Sequence, residues 1–334
     1  MNLKKRILFL HQSWRGFEKR DFEILKDNFS TRELLIYKNL FYKMPSVIRE
    51  IKKTDVIFCW FAYRAAFFPL LLARLLRKKI ILVAGGWDCA NVPEIEYGAM
   101  RQGVRFLPTR IITKFIIKLA DRIIAVSEYN KREIITNYCN SLDRINMIYH
   151  GIPVNCCSDK LNNKEDLVLT VGEVSESNLK RKGLEVFIKV AKRLPDIKFT
   201  LVGKIDKKIE NYISSFIPEN LEIIDSITDD ELHVLYRRAK VYVQVSYHEQ
   251  FGSALAEAMA HKCVPVVTDR TALPEVVGDT GYYVPYGDIE KTANAIEMAL
   301  KDTEKGKIAR ERIARLFSFE KREKLLVELI NNLI

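Results

Sequence analysis

Two glutamates, Glu249 and Glu257, stand on either side of a segment whose residue types suit the binding of an anion. The run from Val241 to Val245 is β-branched and aromatic and has the length of a strand, and the alanine-rich segment from Ala254 to His261 has helical propensity. A strand that leads into a helix places backbone N–H groups and the positive end of the helix dipole at the carboxyl edge of a sheet, where phosphates bind. The glycine just before this helix has no Cβ, so a ligand can approach the backbone closely.

The two carboxylates predict a ligand with a phosphate in its middle and hydroxyl groups on both sides. Glu257 lies on a helix of small and apolar residues that we predict to be largely buried, and an ionised carboxylate there is costly without a partner. Each glutamate also has an ordinary interpretation: an ion pair or hydrogen bond within the protein for Glu257, and an exposed loop position for Glu249. Their joint placement around one helix start favours the ligand.

This segment resembles the signature of family 4 of the retaining glycosyltransferases of GT-B fold. The resemblance rests on the seven residues between the two glutamates and on the motifs Phe251-Gly252, Glu257-Ala258-Met259-Ala260, Pro265-Val266-Val267 and Pro274-Glu275-Val276-Val277. It implies an α/β protein with two Rossmann-like domains whose parallel sheets face a central cleft. It also implies a hexosyltransferase that moves a sugar, with retention and without a metal or cofactor, from a UDP- or GDP-sugar to a glycan or lipid-linked acceptor.

The same resemblance implies roles for residues of the second half. Glu257 would bind the ribose hydroxyls, Lys182 the donor diphosphate together with the amides at the helix start, and Glu249 the sugar. The predicted donor-binding residues are Glu257, Arg181, Gly203, Lys204, Phe251, Gly252 and Ser253, and the predicted catalytic residues are Glu249, Lys182 and Asp88. Gly203 and Lys204 are included because they end a predicted strand, where backbone groups can reach a nucleotide base.

The loop at residues 172–183 carries three adjacent cations, Lys180, Arg181 and Lys182. In the family, this loop resembles a Gly-Arg pair followed by Lys-Gly, in which the Arg and the Lys neutralise the diphosphate. The Lys-Gly pair is present here, but Glu173 stands at the position of the Arg. Either Arg181 or Lys180 compensates, or the phosphates are held more weakly, and three cations in a row are also typical of an exposed turn.

The chain has 334 residues, which exceeds the usual size of one domain and predicts two. We predict an acceptor domain at residues 1–157, a donor domain at 158–317 and a final amphipathic helix at 318–334 that returns to the first domain. The polar segment from Ser158 to Asp166 suits a linker. Short apolar strands alternate with helical segments in both halves, which predicts parallel sheets covered by helices on both faces.

Residues after two strands of the first half are predicted to form the acceptor side, because ligands bind beyond the carboxyl ends of such strands. The strand Arg6–His11 is followed by Gly16 without the G-x-G-x-x-G fingerprint, which disfavours a dehydrogenase. The strand Lys79–Ala84 is followed by Gly85, Gly86, Trp87 and Asp88. Many relatives in the family have a His at this place, so Asp88 is a candidate to substitute for it. The alternative is a tight turn capped by the aspartate.

The positive charge is concentrated in the first half. Of the net charge of +11, residues 1–155 contribute 27 Lys and Arg against 14 Asp and Glu, and residues 156–334 contribute 27 against 29. Because no nucleic-acid-binding motif is recognisable, we predict an anionic membrane surface or a lipid phosphate as the partner, and no nucleic acid. The alternative is that much of this charge is ordinary solvated surface. Leu70–Arg77 and Arg101–Arg110 combine apolar and cationic residues, as do amphipathic membrane patches and also ordinary core-facing helices.

The remaining signals concern metal, compartment and rival functions. Asp229-Asp230 is better explained by a capping box from Thr228 to Glu231 than by a metal site, so no metal is predicted. Six cysteines without zinc-binding spacing and no visible signal peptide predict a cytoplasmic protein, with membrane association left open. The departures at Glu173 and Asp88 leave a non-catalytic nucleotide-sugar-binding protein as the main alternative, ahead of an epimerase or phosphorylase of the same fold.

Overall fold

The structure is a computed structural model that describes residues 4–36, 44–138, 142–154 and 164–333. The chain divides into two compact units: unit 1 comprises Met1–Gly151 and Glu320–Ile334, and unit 2 comprises Ile152–Phe319. The predicted boundary after residue 157 lies outside the described residues, as does most of the predicted linker. None of the helices in the described ranges is both long and apolar enough to cross a bilayer.

Unit 1 contains, within the described residues, a parallel sheet of six strands in the order β2-β1-β3-β4-β5-β6. The strands are β1 (Arg6–His11), β2 (Ser30–Leu35), β3 (Val56–Trp60), β4 (Lys79–Val83), β5 (Arg122–Ala125) and β6 (Ile145–Met147). The chain turns to one side of β1 to form β2 and then crosses to the other side to form β3. This reversal opens a crevice at the carboxyl ends of β1 and β3, the place where open α/β sheets bind ligands.

Five α-helices accompany these strands in the described part of residues 4–151. They are α1 (Gly16–Asn28), α2 (Met44–Lys52), α3 (Phe67–Leu75), α4 (Leu107–Leu119) and α5 (Glu128–Tyr138). Every residue of β3 is buried, as expected for a central parallel strand whose two faces are both covered. The uninterrupted apolar runs that predicted strands in the sequence are therefore the core of the unit.

One predicted strand of unit 1 was misplaced. The sequence predicts a strand at Leu34–Tyr37, whereas β2 spans Ser30–Leu35 and pairs in parallel with β1, Arg6 lying opposite Ser30. Tyr37 lies outside the described residues. The first four residues of β2 are polar because β2 is an edge strand exposed to solvent, so hydrophobicity alone could not locate its start.

Unit 2 repeats the architecture with six described strands in the order β12-β11-β10-β7-β8-β9. The strands are β7 (Glu165–Val171), β8 (Lys198–Val202), β9 (Leu221–Ile224), β10 (Ala239–Gln244), β11 (Val264–Thr268) and β12 (Tyr282–Val284). The strand β10 pairs in parallel with both β7 and β11. The loops that follow β7, β10 and β11 therefore meet at one edge of the sheet, and the predicted α/β class with two parallel sheets is confirmed.

The helices of unit 2 cover both faces of this sheet. They are α6 (Glu176–Arg181), α7 (Leu184–Arg193), α8 (Glu210–Ser214), α9 (Asp229–Arg238), α10 (Ser253–Ala260), α11 (Leu273–Val277), α12 (Ile289–Lys301) and α13 (Thr303–Leu316). At the start of α9, Thr228 accepts a hydrogen bond from the Glu231 amide and Glu231 accepts one from the Thr228 amide. This is the predicted capping box, and it accounts for the acidic cluster there.

The last helix, α14 (Phe319–Asn331), packs almost entirely within unit 1. Its Arg322 donates to both carboxylate oxygens of Asp21 on α1, at 2.5 and 2.7 Å. The Trp60 indole donates to the same carboxylate at 3.0 Å. Arg322 and Asp21 are 2% and 0% exposed, so the pair is a fully desolvated one that ties the end of the chain to its first helix.

Candidate functional site

Three charged residues of unit 2 converge at the carboxyl edge of its sheet. The Oε1 atom of Glu249 lies 3.5 Å from Lys182 Nζ and 3.6 Å from Arg181 Nη1. The side chains of Glu249, Arg181 and Lys182 are only 13%, 14% and 21% exposed. Two cations thus share one carboxylate in a largely desolvated place, where charges act strongly on one another.

The burial and the charges oppose each other in setting the pKa values of this cluster. Burial alone would raise the pKa of Glu249, but Lys182 and Arg181 outweigh it and hold that pKa below its ordinary value. Burial lowers the pKa of Lys182, and the neighbouring Glu249 only partly restores it. The carboxylate is therefore ionised at neutral pH and ready to accept hydrogen bonds.

Hydrogen bonds from backbone amides join three segments around the cluster. The carbonyl of Arg181 accepts the amides of Tyr247 at 2.8 Å and His248 at 3.4 Å, which joins the end of α6 to the segment after β10. The amide of Glu249 donates to the Thr271 hydroxyl at 3.1 Å, which joins it to the segment after β11. These partners lie far apart in sequence, so sequence spacing carried no signal of Tyr247, His248 or Thr271.

Gly252 ends the loop and caps α10. It has a φ of +89° in the left-handed region, which favours glycine, and a Cβ there would lie 3.3 Å from Leu273 Cδ2. The helix begins at Ser253, within one residue of the predicted start, so its first amides follow the loop that carries Glu249. The structure therefore keeps Glu249, the helix start and the helix in the predicted order.

Glu257 lies one turn further along α10 and is half-buried. Its Oε2 atom accepts a hydrogen bond of 3.4 Å from the hydroxyl of Tyr236, a fully buried residue of α9. Burial, followed by the charge of Glu257, raises the pKa of Tyr236 well above its ordinary value, so this hydroxyl keeps its proton and acts as the donor. The contact of Tyr236 with Glu257 joins α9 to α10 and was not predicted from the sequence.

Lys180 and Arg181 are the two candidates to replace the arginine at whose position this chain has Glu173, and they differ in their contacts. Lys180 and Glu173 are both exposed, and the hydroxyl of Tyr286 donates to the Lys180 carbonyl at 2.9 Å. Arg181 instead lies over Glu249, with its guanidinium also donating to Asn178 Oδ1 at 2.7 and 3.1 Å. Of the two cations considered, Arg181 is the one that reaches the cluster.

The other predicted donor residues lie near the same edge with different exposures. Phe251 is 2% exposed and packs edge to face on Phe317 at 5.5 Å, so it supports the loop from beneath. Gly203 follows β8 and donates its amide to the Ile224 carbonyl at 2.9 Å. Lys204 is exposed, and its carbonyl accepts the Val174 amide at 2.8 Å.

The predicted acceptor-side residues of unit 1 follow β1 and β4. Gly16 is the first residue of α1 and is exposed, and Gly85, Gly86 and Trp87 are partly exposed after β4. The Trp87 ring centroid lies 6.5 Å from that of Tyr63. These residues therefore line the carboxyl edge of the sheet as predicted for a ligand-binding loop, and their role stays a prediction.

Asp88 has a different environment from the one its predicted catalytic role requires. It is completely buried, and its carboxylate accepts the amides of Ala62 at 2.9 Å and Gly86 at 3.0 Å. Burial raises its pKa, and these two hydrogen bonds oppose the rise. The contacts match the alternative of a capped turn, so the geometry assigns Asp88 to holding the loop in place.

A second carboxyl, Glu18, lies buried near this edge and was not predicted. It is 1% exposed on the first turn of α1 and accepts the Arg15 amide at 2.9 Å. Burial, only partly offset by Arg15, raises its pKa to about 7. The Arg15 guanidinium itself lies 5.2 Å from the ring centroid of Phe61. Arginine is not among the residues that commonly cap helix starts, so the sequence does not predict the capping role of Glu18.

The described residues contain no group of three or more His, Cys, Asp or Glu side chains that could hold a metal ion. The positive charge of the unit 2 cluster comes from a lysine and an arginine beside a helix start. Such an arrangement can stabilise an anionic group that develops charge during a reaction. The two flanking carboxylates can accept hydrogen bonds from hydroxyl groups.

Protein-family models match almost the whole chain. Residues 158–315 match the family described as Glycosyl transferases group 1, and residues 9–155 match Glycosyltransferase Family 4. The first match contains the entire unit 2 cluster and the second contains the predicted acceptor side.

Among individual proteins, an uncharacterized glycosyltransferase of Methanocaldococcus jannaschii is 28% identical over 72% of this chain and 63% of its own length. The O-antigen chain mannosyltransferase B of Escherichia coli is 35% identical over 28% of this chain and 26% of its own. The sulfoquinovosyl transferase of Arabidopsis thaliana is 23% identical over 80% of this chain and 55% of its own. The chain thus spans less than two thirds of the length of each of these relatives.

Solved structures share the fold across the full chain. The Anabaena protein HepE in complex with UDP and glucose superposes with a TM-score of 0.79 at 17% identity, over 98% of this chain and 100% of its own. The sucrose-phosphate synthase of Thermosynechococcus elongatus gives a TM-score of 0.77 at 18% identity, over 99% of both chains. At this identity, the likeness establishes the GT-B fold.

Proposed function

The chain belongs to the group 1 glycosyltransferases of GT-B fold, and from this membership we propose that it transfers a sugar from a nucleotide-diphosphate sugar to an acceptor hydroxyl. The observation that carries the proposal is the convergence of Arg181 and Lys182 on Glu249 beside the start of α10. A departing diphosphate develops negative charge, and preorganised cations and helix amides stabilise it without reorganisation.

In the proposed complex, the donor runs along the start of α10. Glu257, oriented by the Tyr236 hydroxyl, binds the ribose hydroxyls. Lys182 and the amides that follow Gly252 bind the diphosphate, and Glu249 accepts from the sugar hydroxyls. Because Glu249 already pairs with both cations, it holds them in position before the donor arrives.

We assign to Arg181 the positive charge that an arginine supplies in the family at the position where this chain has Glu173. The guanidinium offers several donors in a rigid fork that matches phosphate oxygens, and Asn178 fixes its plane. With two cations and a helix dipole at the diphosphate, the proposed reaction needs no metal or other cofactor. Magnesium does the corresponding work in transferases that use it.

The donor that we propose is a UDP- or GDP-linked hexose. One relative is a mannosyltransferase of an O-antigen chain, and the similar HepE structure contains UDP and glucose. The acceptor that we propose is a glycan or a lipid-linked sugar, in glycan or glycolipid biosynthesis.

The proposed reaction retains the configuration of the sugar. The bond from the anomeric carbon to the diphosphate oxygen breaks, and the acceptor oxygen bonds to that carbon on the same face. The acceptor proton passes to the leaving diphosphate, so atoms and charge balance. The protein's part is to orient both substrates and to stabilise the diphosphate.

A panel of nucleotide sugars tests this function in two stages. A donor that binds only the folded protein, present at about 100 times its Kd, stabilises it by about 2.7 kcal/mol, which thermal unfolding detects. The stabilising donor is then assayed for transfer with mass detection. Glu257→Ala should abolish the thermal shift, whereas Glu311→Ala, an exposed position of α13, should leave it unchanged.

Two variants of neighbouring residues test whether Arg181 stabilises the diphosphate. Arg181→Ala should lower kcat/KM by about 100-fold, as loss of one stabilising donor does in other enzymes. Lys180→Ala, the exposed neighbour, should change it by less than about threefold. Stabilisation by a donor without turnover would favour the non-catalytic binding protein, and no stabilisation by any nucleotide sugar would refute the proposed function altogether.

A further inference from the structure

An apolar stripe on α4 and the turn before it lies open to solvent. Val104, Leu107, Ile111 and Phe115 are 86%, 39%, 57% and 41% exposed. Their spacing of three to four residues places them along one side of the helix. The opposite side, which includes Ile116, is buried in the core of unit 1. This amphipathic helix therefore presents apolar side chains on the face where a surface helix normally carries polar ones.

The stripe continues onto the neighbouring helix α3, which packs against α4. Phe68 and Leu75 of α3 are 45% and 72% exposed. The Phe67 ring lies 5.2 Å from that of Phe68 and 5.5 Å from that of Phe115, which makes the apolar surface continuous between the helices. We call these six exposed residues of α3, α4 and the turn the α3–α4 face. Scattered apolar residues on a surface are ordinary, but a contiguous patch marks an interaction site.

The segments that form the α3–α4 face are rich in cations, one of which, Arg74, pairs with Asp121 at 3.0 Å. Between Glu96 and Asp121 the sequence has five cations and no acidic residue, and between Asp55 and Asp88 it again has five and none. Lys114 and Lys118, one turn apart on α4, are exposed beside the apolar stripe. Apolar side chains flanked by cations match the interface of an anionic bilayer, where the former enter the acyl region and the latter meet the phosphates.

A second copy of the chain suits this face poorly. A two-fold contact would bring the same cationic rim against itself, and like charges opposite one another disfavour association. We propose that the α3–α4 face of unit 1 docks peripherally on an anionic lipid bilayer. The segments predicted from sequence, Leu70–Arg77 and Arg101–Arg110, coincide with this face only in part, because Leu70 and Ala73 are buried in the core.

Vesicle flotation of the full chain tests the docking without any sugar donor, so its outcome is independent of the proposed transfer reaction. The protein should float with vesicles that contain phosphatidylglycerol and remain unbound with pure phosphatidylcholine. Binding should weaken as salt is raised, because the electrostatic part is screened. Equal binding to both kinds of vesicle, or to neither, would overturn the proposal.

Two variants and a control locate the contact. Val104→Glu with Ile111→Glu changes the two most exposed residues of the stripe on and before α4 and should reduce partitioning by about tenfold or more. Lys114→Glu with Lys118→Glu should reduce it by at least about fivefold per cation. Phe216→Glu, in an exposed aromatic pair with Tyr212 of unit 2, should bind as the parent does.

Thermal unfolding of each variant shows whether it remains folded. The two double variants change different side chains of the same face, so a folding defect in one of them leaves the other as a test. If both remain folded and bind vesicles as the parent does, the face is not the contact. If sedimentation instead finds a dimer of the parent that Val104→Glu with Ile111→Glu dissociates, a second copy occupies the face and the proposal is wrong.

Discussion

At the scale of single residues, Glu18 is a carboxyl that is almost completely buried. Burial raises its pKa from 4.5 to about 7, so the folded protein holds a proton there that the unfolded chain has already lost. The free energy of unfolding therefore falls as the pH rises from about 4.5 to about 7, because the folded protein binds this proton more tightly than the unfolded chain does. The loss at high pH is about 3 kcal/mol, since a pKa unit corresponds to about 1.4 kcal/mol.

Glu18→Gln should therefore stabilise the protein at pH 8 by up to about 3 kcal/mol, because the amide can still accept the Arg15 N–H without carrying a charge. The gain should shrink towards zero as the pH falls to about 4.5. Urea unfolding at several pH values measures it. Glu23→Gln, an exposed position on the same helix, is the control and should give no gain that depends on pH in this way.

At the scale of elements, the junction between α6 and α7 positions the two cations of the unit 2 cluster. Gly183 follows Lys182, the C-cap of α6, and caps the start of α7 with a φ of +67°; a Cβ there would lie 2.1 Å from the Val245 carbonyl oxygen. The backbone must shift to admit any side chain, and the shift would move Lys182 away from Glu249.

Gly183→Ala should consequently cost about 3 kcal/mol of unfolding free energy, from the left-handed backbone and the overlap together. Gly287→Ala is a matched control, because Gly287 has a φ of +85° with nothing within 4 Å of its Cβ position. It should cost only about 1 kcal/mol. Equal losses in the two variants, measured by denaturant unfolding, would show that the contact with Val245 is unimportant.

The same junction shows where prediction from the sequence succeeds and where it ends. Buried strands such as β3 are unbroken apolar runs, and Glu249, Gly252 and Glu257 lie in one short segment whose order along the chain survives in the fold. The choice of Arg181 over Lys180 depends on which side of α6 faces β10, which is a tertiary contact. The start of β2 and the burial of Asp88 likewise depend on neighbours remote in sequence.

At the scale of the whole molecule, unit 1 is assembled from both ends of the chain. The buried pair of Arg322 and Asp21, with Trp60 as third partner, joins α14 to α1. Removing one member of such a pair leaves an uncompensated charge in the core.

Arg322→Ala should lower the unfolding free energy by about 3 to 5 kcal/mol. Arg193→Ala breaks the exposed ion pair with Glu290 and should cost less than about 1 kcal/mol. Calorimetry of both variants makes the comparison. If Arg322→Ala unfolds at the temperature of the parent, α14 does not depend on this pair.

The discontinuity of unit 1 has a consequence for dividing the protein into fragments. Residues 152–319 form unit 2 as one continuous stretch, whereas residues 1–151 lack the Arg322 that pairs with Asp21. A fragment of residues 1–151 would therefore keep the Asp21 carboxylate in its core without the cation that compensates it. Unit 2 can be expressed as a single segment, but unit 1 can be rebuilt only when α14 is supplied together with residues 1–151.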